Sequence, residues 1–340
     1  MEVAVVILNY NGKSFLEKFL PQVIQHSENA TIWIVDNQST DESVAFLKQH
    51  YPKLGLIINE SNGGFAKGYN DGLKQIKADY YVLLNSDVQV TENWLQPCID
   101  LIESDPRIAA LQPKILSYDQ KNKFEHAGAA GGFLDKNYYP FCRGRIFEII
   151  EEDEGQYDDN LEVFWATGAC MFIRADLYRE FGGLDEDFFA HMEEIDLCWR
   201  MKRSGYKIYY CGASKVYHVG GGTLNYMNPR KTYLNFRNSL YMIAKNHEGV
   251  LFPKLFKRLL IDGLGANMFL LKFQFKHFWA VFRAHMALYA RWGTIKKKRR
   301  SLKSTSTGFN RTGLYKKNIT FKKFLGGLKH FSEISKKDIH

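Results

Sequence analysis

The run Tyr80-Tyr81-Val82-Leu83-Leu84, followed at once by Asn85-Ser86-Asp87, constrains this chain more than any other stretch. Five apolar or aromatic residues without a break suit a strand buried on both faces of a parallel sheet. In open α/β sheets ligands bind beyond the carboxyl ends of the strands, so the three polar residues stand where a ligand would. A carboxylate there holds a hard divalent cation, and Mg²⁺ or Mn²⁺ commonly bridges from it to a substrate phosphate. The alternative is an aspartate that caps the next helix, a position Asp favours.

The segments upstream repeat the pattern. Residues 3–8 are β-branched and aliphatic and end at Asn9-Tyr10-Asn11-Gly12. A helix then runs to about His26 with Ser14 as its cap and Phe15, Leu16, Phe19, Leu20, Val23 and Ile24 on one face. Residues 31–35 form a second strand ending at Asp36, and residues 54–58 a third. Asn62-Gly63-Gly64-Phe65-Ala66-Lys67-Gly68 opens another helix before the fourth strand at Tyr80. Strands alternating with helices predict right-handed crossovers and a mostly parallel sheet. Asp36 shares the placement of Asp87. It suits a pyrimidine imide N–H or a ribose hydroxyl, or else caps the helix that begins near Asp41. The 62–68 loop looks made for phosphate, but it lacks the GxGxxG spacing and follows the third strand, not the first. Its glycines either let the backbone pass close to a sugar nucleotide, with Lys67 as a positive charge, or merely turn the chain into a helix.

Downstream, the spacing predicts a helix over 92–104 and a strand over 108–116. Residues 121–160 read as an irregular insertion or hairpin near the site. Strand character returns over 162–174, broken at Thr167-Gly168-Ala169. A helix start at 191–200 crowds Glu193, Glu194 and Asp196 into one turn, with Met192, Ile195 and Trp199 on its apolar face. The helix dipole alone accounts for acids there, unless one of them is a general base. Short strands over 207–211 and 215–217 precede His218, which three glycines follow at 220–222. That histidine is either structural or reaches a metal or a diphosphate. Arg230, Lys231, Arg237 and Asn238 lie on or beside a helix of about twenty residues and suit phosphate.

At 340 residues with 45% hydrophobic and 24% charged, the chain is globular, with room for a large domain over 1–245 and an extension over 246–340. Five cysteines without a CxxC pair predict free thiols in a reducing cytoplasm. The N-terminus lacks the pattern of a signal peptide. The net charge of +9 hides a split: from residue 251 onward there are 21 Lys+Arg against 3 Asp+Glu, leaving 25 basic and 34 acidic residues before it. Residues 251–271 and 273–289 are apolar and aromatic but interrupted by charges, too short in any uncharged run to span a bilayer. They are expected to lie on the inner leaflet of the cell membrane, with Lys296-Lys297-Lys298-Arg299-Arg300 at anionic headgroups. The other reading is a helical pair packed on the catalytic domain, followed by a solvated tail.

Taken in order over residues 1–245, several motifs carry a resemblance. They are Val5-Val6-Ile7-Leu8-Asn9-Tyr10-Asn11-Gly12, Val35-Asp36-Asn37-Gln38-Ser39-Thr40-Asp41, the 62–70 glycine segment, Leu84-Asn85-Ser86-Asp87, Thr167-Gly168-Ala169-Cys170, Phe181-Gly182-Gly183-Leu184-Asp185-Glu186-Asp187, Glu193-Glu194-Ile195-Asp196 and His218. The set resembles family-2 glycosyltransferases with the GT-A fold, in particular the bacterial rhamnosyltransferase-like branch. The resemblance implies an α/β fold with a mostly parallel, Rossmann-like sheet flanked by helices. It does not cover the basic helical extension. It implies that Asp36 contacts the nucleotide base and that Asn9, Asn11, Asn62, Gly63, Lys67, Asn85 and Ser86 surround a nucleoside diphosphate sugar. Asp87 would close a DxD-like motif on Mg²⁺ or Mn²⁺, helped by His218. Glu194 would be the base, in the place where the family usually has Asp, while Glu193, Asp196, Gly168 and Arg237 would meet acceptor or phosphate. The implied reaction is inverting transfer of a sugar to a hydroxyl of a glycan or lipid-linked acceptor, with no nucleic acid involved. A nicotinamide oxidoreductase would share the sheet but need the missing fingerprint. A nucleic-acid-binding protein would explain the basic tail but not carboxylates at strand ends.

Overall fold

The computed structural model describes residues 1–220, 228–305 and 308–340, so Gly221 and Gly222 of the glycine turn lie outside the described residues. The first half alternates as the periodicity requires: β1 (Val3–Asn9), α1 (Lys13–Gln25), β2 (Thr31–Asp36), α2 (Ser43–His50), β3 (Gly55–Ile58), α3 (Gly64–Leu73) and β4 (Tyr80–Asn85). These strands lie in the order β3-β2-β1-β4, all parallel. Successive strand residues point to opposite faces, so each run feeds two cores. Val5, Ile7, Val82 and Leu84 pack with Leu16, Leu20 and Val23 of α1. Ala4, Val6, Tyr81 and Leu83 pack with Tyr69 and Leu73 of α3.

Next come β5 (Val88–Val90), α4 (Gln96–Glu103), β6 (Ile108–Ser117), β7 (Gly132–Asp135), β8 (Pro140–Cys142), β9 (Arg145–Ile146) and β10 (Ile149–Ile150). Then follow β11 (Leu161–Val163), β12 (Cys170–Arg174), α5 (Ala175–Glu180), α6 (Glu193–Arg203) and β13 (Lys207–His218). β12 runs antiparallel between β4 and β6, β13 lies parallel beside β6, and β11 and β5 pair antiparallel with β13. Six of the nine strands in this sheet therefore run one way.

Local expectations shift where pairing overrides propensity. Val88-Gln89-Val90 alternates and joins β13, so the helix after Asp87 begins only at Gln96 and Asp87 caps nothing. Gly12, not Ser14, holds the N-cap position of α1. The two short strands over 207–217 are one strand, bulged between Cys211 and Lys215. The insertion folds as a small second sheet, β10-β9-β8-β7, completed by a strand from the far end of the chain.

That strand is β14 (Leu314–Tyr315), parallel to β7. It follows α7 (Pro229–Asn246), α8 (Leu251–Leu271), α9 (Phe275–Ala290) and α10 (Trp292–Thr305) and precedes α11 (Ile319–Phe324). The tail is not a solvated appendage, because Tyr315, Ile319, Leu328 and Ile334 are buried. Helix α8 buries a mixed face, Leu255, Arg258, Asp262 and Ala266, and exposes an apolar stripe. Its inward face carries the buried pair Arg258–Asp262 at 3.0 Å, and Arg258 also donates to Ser239 Oγ at 2.9 Å. Its outward stripe is Phe252, Phe256, Leu260, Leu264 and Met268, between 50% and 77% exposed. Helix α9 continues the stripe with Phe275, Trp279, Phe282, Met286 and Tyr289. No helix among the described residues is long and apolar enough to cross a membrane.

Candidate active site

The carboxyl ends of β1, β2 and β4 converge. Asp36 is fully buried and its carboxylate is held from three sides. Asn9 Nδ2 donates at 2.8 Å, Ser39 N at 2.7 Å and Ser39 Oγ at 2.7 Å. Asn9 Oδ1 is buried and has no partner, an acceptor left facing the cleft. Asn11 shapes the wall: its backbone N–H donates to Ser39 Oγ at 2.9 Å and its Oδ1 accepts from Thr40 N at 2.7 Å. Asn62 does the same for the glycine loop, accepting from Gly64 N at 3.0 Å and Asn37 Nδ2 at 3.1 Å. Gly63 takes the N-cap position of α3. Gly64 has φ +85°, and a Cβ there would lie 2.5 Å from the Phe189 carbonyl, so only glycine serves. Lys67 pairs along α3 with Asp71 at 2.6 Å.

At the end of β4, Asn85 N donates to Ala169 O at 3.0 Å. Ser86 Oγ would lie 3.4 Å from a Cβ on Gly12, which brings the β1 loop against this tripeptide. Asp87 Oδ1 lies 3.2 Å from His218 Nε2, and the other ring nitrogen, Nδ1, lies 3.1 Å from Glu125 Oε2. Burial opposes charge on this imidazole, but hydrogen bonds and attraction to both carboxylates outweigh it and raise its pKa to about 10. Glu125 belongs to the insertion that sequence periodicity left unread. Its only signal was an acid beside a histidine in a glycine-rich stretch.

The third part is the start of α6. Phe189, His191 and Met192 all have positive φ, at 66°, 72° and 73°. Three non-glycine residues in that region are strained, and such strain persists where surrounding structure imposes it. Here α7 imposes it: Asn238 Nδ2 donates to the carbonyls of Phe188, Ala190 and His191 at 2.9, 2.8 and 2.7 Å. Arg237 Nη2 donates to the carbonyls of Asp187 and Phe188. Arg237 thus braces the loop, and Asn238 acts with it.

The strained loop aims two acids inward. Glu193 Oε2 and Glu194 Oε2 are buried without a hydrogen-bond partner. Burial raises the Glu194 pKa to about 7, and burial with the neighbouring Glu194 charge raises that of Glu193. Asp196 is different. It is fully buried and saturated by Arg200 at 2.9 Å, Lys245 at 2.7 Å and Asn246 at 2.7 Å. Its bond to Arg200 is the pairing that i,i+4 spacing on a helix favours. Gly168 joins the parts: a Cβ there would lie 3.1 Å from the Phe65 ring and 3.9 Å from Glu194 Cβ. The 167–169 loop is thus bonded to the end of β4 through Ala169 O and passes near the start of α6 at Gly168, where a side chain would come up against Phe65.

The sequence pattern of the family described as Glycosyl transferase family 2 matches residues 4–182, more than half of the chain. The chain belongs to this family. It is similar to an N-acetylglucosaminyl-diphospho-decaprenol L-rhamnosyltransferase of Mycobacterium tuberculosis, 25% identical over 260 residues covering 72% of this chain and 85% of the relative. It is also similar to rhamnosyltransferase WbbL of Escherichia coli K12, 25% identical over 228 residues covering 64% of this chain and 83% of the relative. Among solved structures it resembles the mannosyltransferase PcManGT from Pyrobaculum calidifontis in complex with GDP-Man and Mn²⁺. The TM-score there is 0.52 at 14% identity, over 89% of this chain and 79% of that one. The likeness shows the GT-A fold. The family match makes the chain a nucleotide-sugar glycosyltransferase, and its similarity to these relatives supports the rhamnosyltransferase-like branch. The family-2 match ends before α6, so the roles of Glu194 and His218 rest on geometry.

Proposed function

We propose that this glycosyltransferase uses a divalent cation, Mg²⁺ or Mn²⁺, and Glu194 as base to move a sugar, with inversion, onto a hydroxyl of a glycan or lipid-linked acceptor. The observation that carries this reading is the Glu194 carboxyl, which has a buried oxygen without a hydrogen-bond partner, on a helix start next to Gly168, whose neighbour Ala169 accepts from Asn85 N at the end of β4. Asp36, held by Asn9 and Ser39, accepts from the nucleoside, and Asn85 and Ser86 line the path of the diphosphate.

The residues at the end of β4 fit a cation. Asp87 supplies a hard oxygen, and His218 Nε2, 3.2 Å from it, would join it only on giving up its proton to make room for the cation, with Glu125 3.1 Å from the other ring nitrogen. Among the described residues no group of three or more His, Cys, Asp or Glu side chains is arranged to hold an ion by itself. Donor phosphate and water would complete the shell, as is usual for Mg²⁺. The bound ion would offset charge on the leaving diphosphate. The chain's own part is to place the acceptor. Glu194 takes the hydroxyl proton as that oxygen bonds to the anomeric carbon and the bond to the diphosphate breaks on the opposite face. A pKa near 7 leaves enough carboxylate to act and enough basicity to hold the proton.

Residues 1–245 would be the catalytic unit and 246–340 an extension that holds it at an anionic membrane surface on the inner face of the cell membrane. Exposed Lys296, Lys297 and Arg300 support that reading, as does the diphospho-decaprenol in the name of the mycobacterial relative. A thermal-shift screen of nucleoside diphosphates with and without Mn²⁺ tests the donor half, since a ligand of the native state raises Tm. One nucleoside diphosphate should raise Tm only with Mn²⁺, and Asp87→Asn should remove that dependence. An unchanged Mn²⁺ effect in Asp87→Asn would reject the assignment.

A further inference from the structure

A surface cavity of about 330 Å³ opens between the start of α7 and the middle of α9. Three cations line it, Arg230, Lys276 and Arg283, with the rings of Tyr233 and Trp279 as walls. Among the described residues none of the three cations has a carboxylate within ion-pair distance, so charge is gathered here without its counterpart. Between residues 251 and 305 the one acid is Asp262, buried against Arg258 on the opposite face of α8. The arginines stack on aromatic faces instead: Arg283 lies 5.1 Å from the Tyr233 ring centre and Arg230 lies 5.1 Å from that of Phe189. Guanidinium groups laid flat on rings keep their N–H edges free for an anion.

The two sides of the cavity differ. On one side Phe189 leads into the active-site loop, since its carbonyl accepts from Phe65 N at 2.7 Å. On the other side Trp279 belongs to the exposed apolar stripe of α9. In water the Phe, Leu and Trp side chains along the outer faces of α8 and α9 form an uncovered apolar stripe, and an apolar medium would cover it. A cationic cavity between an acidic catalytic cleft and such a surface is complementary to an amphiphile with an anionic head and an apolar chain.

We propose that this cavity seats the phosphate or diphosphate of the lipid-linked acceptor, with the first part of its chain along Trp279 and Phe282. This deepens the lipid-linked reading above and rests on it. The seat would hold the phosphate at Arg230, Lys276 and Arg283 while the glycan end turns past Phe189 toward Glu194. A phosphate on an apolar chain also occurs in bilayer phospholipids, so the experiment separates the two sources.

The probe is farnesyl diphosphate, titrated into the full chain by calorimetry in detergent, with farnesol and inorganic diphosphate as half-ligands. Farnesyl diphosphate should bind at least about 10-fold more tightly than either half, and Lys276→Gln/Arg283→Gln should weaken it about 10-fold or more. Both substituted residues are exposed, so the variant keeps its fold, and an unshifted Tm without ligand checks this. Trp279→Ala should weaken farnesyl diphosphate binding and leave inorganic diphosphate unaffected. Equal affinity in the double variant and the wild type overturns the proposal. So does a double variant that loses flotation with phosphatidylglycerol vesicles yet keeps its affinity for farnesyl diphosphate, which would make the cavity a headgroup site. The Tm shift with nucleoside diphosphates reads the donor half separately. Its absence alongside cavity-dependent farnesyl diphosphate binding would sink the donor assignment and leave the seat standing.

Discussion

Glu194 and Asp196 lie two residues apart at the start of one helix, and their surroundings are opposite. Asp196 meets two cations and an amide, so its charge is fully met. Glu194 has a buried oxygen that meets no donor, and burial lifts its pKa to about 7. A helix turns about 100° per residue, so the two side chains leave on nearly opposite sides. One faces α7, which supplies Lys245 and Asn246. The other faces the cleft beside Gly168. The lesson is that residue type and helical position do not separate a base from a strut; the partners do.

Four measurements strain that contrast, from the largest effect down. Glu194→Gln should lower transfer by roughly 10²–10⁴-fold while donor affinity by calorimetry stays at the wild-type value. An active Glu194→Gln would move the base elsewhere. Asp196→Asn leaves Lys245 and Arg200 without their shared charge, and breaking a buried pair this way costs about 3–5 kcal/mol. Urea denaturation reads it, and a wild-type midpoint would end the claim that Asp196 is structural. The pH profile comes third. The base works only unprotonated, so transfer should fall as pH drops through about 7. An acid limb near 4.5, the usual carboxylate value, would show Glu194 to be an ordinary carboxylate.

The smallest effect is on stability. The folded pKa of Glu194 lies above its ordinary value, so the native state binds more protons than the unfolded state between about 4.5 and 7. Stability therefore falls as pH rises through that window, and the loss is complete above it. Glu194→Gln should raise stability at pH 8 by on the order of 1 kcal/mol and leave it unchanged at pH 4. A destabilised variant at pH 8 would mean that the carboxylate has a partner after all.

The donor half was legible because its signal is local. An apolar run that ends in Asn or Asp states both a buried strand and a polar strand end, and Asn9, Asp36 and Asn85 stand where those runs stop. Glu125 was not legible, since its value lies in backing His218 from a stretch with no periodicity. Charge alone suggested Lys67 for the donor and Arg237 for acceptor or phosphate, but it could not show that Asp71 pairs with the one and the 187–188 carbonyls accept from the other. The insertion, read as irregular or a hairpin, pairs its own strands β7 to β10 and is extended by β14 from residue 314, a partner no local pattern announces.

The sequence by itself determined the alternating strands and helices, the polar ends of the strands and the charge split near residue 251. Each of these follows from neighbours along the chain. Tertiary structure decided which acid in α6 is free, which histidine nitrogen is backed, and which side of α8 faces inward. Periodicity shows that a helix has two faces but carries no sign, and Arg258 and Asp262 lie inside because Tyr139 and Ser239 await them there.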